Sequence, residues 1–145
     1  MKTKNILILF ILSFSFIQAD YIEGRWNPGG FGNTMYEFVD GLRYTYYCPD
    51  NSCDADYWDS LDTSDAIPTP NPYWVDGNTI SIDLHFGNTA TYTMDFRCDD
   101  QLVDFYYDED DYWEGLHSSM FRLGFDYNNS DCTICSNYDE LYCSW

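Results

Sequence analysis

The sequence predicts an all-β protein: an antiparallel up-and-down meander of about eight strands that closes into a small barrel. Three observations predict it. Ile80, Ile82, Leu84 and Phe86 alternate with Ser81, Asp83 and His85; after Gly87-Asn88, Ala90, Tyr92, Met94 and Phe96 alternate with Thr91, Thr93 and Asp95. Period-two alternation puts every second side chain on one face, so this stretch reads as a hairpin with one dry and one wet face. The chain is also rich in rings, with 14 Tyr, 10 Phe and 5 Trp making aromatics 20% of it. That richness argues against the disorder its acidity alone would suggest. Finally, short turn signals separate the apolar runs, and no 3.6-residue periodicity competes with them.

Taken in order, the first strand is Tyr21–Trp26, followed by the turn Asn27-Pro28-Gly29-Gly30. The second, Thr34–Val39, and the third, Leu42–Tyr47, are joined by Asp40-Gly41, a dipeptide that supplies the positive φ angles of a tight hairpin. A long polar excursion runs from Cys48 to Pro72. The fourth strand, Tyr73–Val75, turns at Asp76-Gly77 into the fifth, Asn78–Phe86. The sixth is Ala90–Arg97 and the seventh Leu102–Tyr107, and beyond the acidic loop Asp108–Gly115 the eighth spans Ser118–Phe125. Consecutive strands joined by short turns lie side by side. Eight of them can close and remove both edges. A two-sheet sandwich is the competing arrangement, but it needs longer crossovers.

The ends lie outside this unit. Lys2 and Lys4 precede an apolar run from Ile6 to Ile17, and Gln18-Ala19 offers a cleavage point before Asp20. Residues 1–19 therefore read as a secretory signal peptide, because the run falls short of the roughly 20 apolar residues of a membrane span. Residues 20–125 are expected to form the barrel domain and residues 126–145 a Cys-rich tail packed on it. The expected location is extracellular, with no stable membrane insertion.

All 25 carboxylates follow residue 19, against Arg25, Arg43, Arg97 and Arg122, so the mature net charge is −21. Such a surface repels phosphate backbones, which excludes nucleic acid as a partner. It attracts divalent cations and basic proteins.

Cys48, Cys53, Cys98, Cys132, Cys135 and Cys143 make an even set, read in an exported chain as three disulfides. Three lie in the strand region and three in the tail. If all pair, an odd number of bridges joins tail to body, so at least one staples the tail down. A redox or zinc role for Cys132-Thr133-Ile134-Cys135 competes poorly with oxidation outside the cell.

Gly24-Arg25-Trp26 at the start of the first strand resembles the Gly-x-Trp signature that opens lipocalins and other calycin barrels. The resemblance implies that an arginine of the last strand, here Arg122, packs across Trp26 and closes the base. It also implies a tail tied by disulfide to the barrel wall. The Thr-Asp-Tyr-type second signature and the long helix that follows the barrel in that family are not found. The likeness is therefore to a shortened lipocalin-like barrel.

The residues with chemistry are few. His85 falls on the wet face of its strand, as an exposed neutral histidine. Glu114, His117 and Ser118 sit near one another in sequence, but no Gly-x-Ser-x-Gly elbow accompanies them, so no hydrolase is expected. Asp108, Asp110, Asp111 and Glu114 are weak calcium candidates, as are Asp50, Asp54, Asp56, Asp59, Asp62 and Asp65. Neither run has the glycine and glutamate of an EF-hand loop. No cofactor is expected otherwise. Asn128-Asn129-Ser130 is a glycosylation sequon at Asn128.

The expected function is binding of a small apolar or aromatic ligand inside the barrel. Its candidate lining is Tyr36, Phe38, Tyr44, Tyr46, Tyr92, Phe96, Phe105 and Tyr107. The alternative is an acidic extracellular interaction module, meeting a basic protein or calcium through its acidic loops.

Overall fold

The computed structural model describes residues 19–29, 32–50, 53–107 and 115–126. A short helix α1 (Ala19–Ile22) leads into β1 (Gly24–Pro28), β2 (Thr34–Val39) and β3 (Leu42–Tyr47). Helix α2 (Ala55–Ser60) intervenes before β4 (Asn71–Asp76), β5 (Thr79–Asp83), β6 (Thr89–Arg97), β7 (Leu102–Tyr107) and β8 (Leu116–Arg122). Each strand pairs antiparallel with the next, and β8 pairs back onto β1, so the sheet is a closed eight-stranded barrel. The expected fold class holds. At the Asp40-Gly41 turn both residues take positive φ, 50° and 75°, as a tight hairpin requires.

The fourth strand is longer than its expected Tyr73–Val75, the sixth begins one residue earlier, at Thr89, the eighth spans Leu116–Arg122 instead of Ser118–Phe125, and the first and fifth shift as well. The first strand begins at Gly24 because α1 occupies Tyr21 and Ile22. The fifth stops at Asp83, whose carboxylate accepts the His85 N–H at 2.7 Å. His85 and Phe86 then take φ of 67° and 55°, which no strand residue adopts. As a result Leu84 and Phe86 leave the dry face, and Phe86 is 100% exposed at the hairpin tip. His85 is half-buried in this turn rather than on a strand's wet face, and its Nε2 has no hydrogen-bond partner.

Two apolar clusters result. The interior one joins Trp26, Phe38, Ile80, Ile82, Met94, Val103, Phe105 and Met120. The second lies on the outer face of β2 and β3, where Met35, Tyr46 and Cys48 pack with Trp58 of α2. The polar excursion 48–72 thus contains a helix that the polar composition hid. Asp54 caps its start by accepting the Tyr57 N–H at 2.9 Å. Arg25 holds its end, donating from Nη1 to the Trp58 carbonyl and from Nη2 to that of Leu61, while its Nε pairs with Glu37 at 2.9 Å. Cys48 and Cys53 are bonded to each other beside this helix, and Cys98 is disulfide-bonded as well. Cys132, Cys135, Cys143 and Asn128 lie outside the described residues, as do residues 1–18 of the expected signal peptide.

The base of the barrel is closed by Arg122. Its guanidinium carbon sits 4.4 Å from the centre of the Trp26 ring. Its Nη1 donates to the Glu23 carbonyl at 2.9 Å, Nη2 to Tyr21 at 2.7 Å, and Nε to Asp100 at 2.9 Å. Trp26 is fully buried, and its Nε1 donates to the Ile22 carbonyl at 2.7 Å. Gly24 has φ of +112°, and a Cβ there would lie 2.9 Å from Arg122 Nη1. The glycine of Gly-x-Trp thus meets both a backbone and a packing demand. Gly24→Ala should cost about 1–3 kcal/mol of unfolding free energy, read as a lower urea midpoint. An unchanged midpoint would show that the base tolerates the intrusion.

Candidate ligand cavity

At the other end of the interior lies a partly open cavity of about 260 Å³. β2 contributes Tyr36 and Phe38, β6 Tyr92 and β7 Phe105. Apolar contacts from Pro28, Ile82 and Met120 complete much of the wall, and His117 and Ser118 of β8 join it. The rings pack on one another: Tyr92 lies 5.8 Å from both Phe105 and Tyr107.

Of the eight rings expected as the ligand lining, four line the cavity: Tyr36, Phe38, Tyr92 and Phe105. Phe96 is inside but nearer the base, 6.3 Å from Trp26. Tyr107 packs against His117 at 4.9 Å, beside the cavity. Tyr44 and Tyr46 do not reach it. They lie across the sheet with Met35 and Trp58, and the Tyr46 hydroxyl donates to Glu37. The reason is register: Arg43 and Thr45 stand opposite Phe38 and Tyr36, so these inner positions of β3 exclude its tyrosines. Burial, followed by the Glu37 carboxylate, pushes the Tyr46 phenol pKa well above its usual value.

Arg43 is the wall residue that alternation alone did not single out. Its guanidinium stands 4.7 Å from the centre of the Tyr36 ring, and its Nη2 donates to Asn71 Oδ1 at 2.8 Å. Asn71 is the direct partner of Arg43 across the β3–β4 ladder. Its own Nδ2 donates to the Asp83 carbonyl at 2.7 Å, which turns Oδ1 towards Arg43. Burial lowers the pKa of Arg43 from its ordinary value, but a guanidinium remains charged at neutral pH.

His117 shares a 2.9 Å hydrogen bond from Nδ1 with the Ser118 hydroxyl, and its Nε2 is 3.4 Å from the Tyr92 hydroxyl. Burial holds its pKa below the usual imidazole value, so it is neutral at pH 7. Glu114, with Asp108, Asp110 and Asp111, lies outside the described residues. Among the described residues, one group of three could crowd a metal ion: Cys48, Asp50 and Cys53. Its two sulfurs are already joined to each other. The expected calcium candidates Asp54, Asp56, Asp59, Asp62 and Asp65 form no such group among the described residues.

These features define a closed antiparallel β-barrel with an aromatic interior cavity. No family model, no curated protein and no solved structure matches the chain. Among the described residues, no helix is long and apolar enough to cross a membrane.

Proposed function

We propose that this protein is an exported, lipocalin-like barrel that binds a small apolar or aromatic molecule in its interior. The carrying observation is the cavity of about 260 Å³ walled by Tyr36, Phe38, Tyr92 and Phe105. A barrel of eight strands is just wide enough either to fill with side chains or to hold one ligand. Here Trp26 and Met94 belong to the buried core and do not line the cavity. The volume is slightly below the roughly 300–1,000 Å³ of ordinary ligand sites, which favours a compact ligand. The Gly24-Arg25-Trp26 motif, packed under Arg122, supports the lipocalin-like reading. The apolar leader and the disulfides support export. Segment 48–72 packs on the barrel wall through Trp58, so its apolar side has a structural task.

The test is a fluorescence titration with N-phenyl-1-naphthylamine, a neutral two-ring probe. Saturable enhancement at one site per chain is expected, with Kd in the range of about 1–100 μM. Ser118→Trp, which puts an indole in the cavity wall, should weaken binding by more than about 10-fold. Absence of saturation, or tight binding that survives the indole, would sink the proposal.

A further inference from the structure

We propose that the cavity selects a small organic anion, an aromatic carboxylate, and that Arg43 is its anchor. This rests on the cavity being a ligand site. The chain carries 25 carboxylates, yet among the described residues neither Asp nor Glu lines the cavity, and Arg43 is the one guanidinium that does. Arg43 thereby places a positive charge in the described part of the wall.

The four arginines of the barrel domain differ in how their charge is met. Arg25 pairs with Glu37, and Arg97 with the fully buried Asp104. Arg122 spends its donors on three backbone carbonyls and its face on Trp26. Arg43 has a neutral amide, Asn71, and the face of Tyr36. No carboxylate pairs with it among the described residues, and its buried Nε has no partner. Leaving a desolvated cation without a counter-ion is costly, and an incoming anion removes that cost. A guanidinium offers a planar fork that matches a carboxylate, so the charge carries geometric selectivity too. Asn71, fixed by Asp83, keeps the fork in place. The rings of Tyr36, Tyr92 and Phe105 then accept the ligand's apolar body.

The experiment is isothermal titration calorimetry of the full-length mature chain with 2-naphthoate and with 2-naphthamide, which share a shape and differ in charge. The carboxylate should bind about 10–100-fold more tightly than the amide. In Arg43→Gln that preference should collapse to within about threefold. Equal binding of the two probes by the wild-type chain overturns the anion proposal and leaves the cavity reading intact, and it requires no variant. A preference that persists in Arg43→Gln overturns Arg43 as the anchor. Failure of both probes to bind overturns the cavity reading and this proposal with it.

Discussion

Trp26→Ala should lower the unfolding free energy by about 3–5 kcal/mol, a large share of the roughly 5–15 kcal/mol that holds a domain together. The indole is fully buried and packs with Phe96 on one side and Arg122 on the other. Its removal leaves a void at the place where β1 and β8 join, in the register Trp26 opposite Arg122. Arg122→Ala should cost somewhat less, about 2–4 kcal/mol, because it strips donors from the carbonyls of Tyr21, Glu23 and Asp100. The two losses should not add. A double-mutant cycle in urea should show a coupling of about 0.5–2 kcal/mol from the stacked guanidinium and indole. Strict additivity would mean that the two side chains are neighbours without being partners.

The second large effect is expected on the outside of the barrel. Trp58→Ala should cost about 3–5 kcal/mol although the residue belongs to a loop excursion. Its indole is 3% exposed and lies over Met35 and Tyr46. Arg25 ties the end of the same helix to β1, so loosening the helix also loosens the Arg25–Glu37 pair. The damage should stay on that side of the sheet. The cavity rings of β2 point the other way, so the folded fraction of Trp58→Ala should still bind the neutral naphthylamine probe. A cost below about 1 kcal/mol would mark α2 as an appendage, a surface change being normally within about 0.5 kcal/mol. Loss of probe binding in the folded variant would mean that the outer cluster shapes the cavity.

Particular residues show what could be read before the fold was known. Thr34–Val39, Leu42–Tyr47 and Leu102–Tyr107 were readable to the residue, because each is a short run rich in apolar and aromatic residues bounded by a turn or a polar loop. The pairing of Trp26 with Arg122 could be anticipated from a three-residue motif and one cation in the last strand. Helix α2 could not. With six residues it is too short to show a 3.6-residue period, and only Asp54 at its cap and Trp58 on its inner side would have signalled it. Leu84 and Phe86 misled for the opposite reason. The pattern continued, but the Asp83 side chain bent the backbone away from the sheet.

Half of the expected lining rings were in place, and the others were displaced by causes that no local pattern carries. Tyr44 and Tyr46 share one face, as do Tyr36 and Phe38, and period two established both facts. Which of those faces became the interior was decided by α2, which lent Met35 and Tyr46 an apolar roof and left Arg43 to the cavity. The sequence by itself determined an antiparallel, turn-rich barrel, because alternation and turn chemistry act over neighbouring residues. The tertiary structure alone decided the cavity and its lone guanidinium, because burial depends on what covers each face, and the covering helix lies at a distance along the chain.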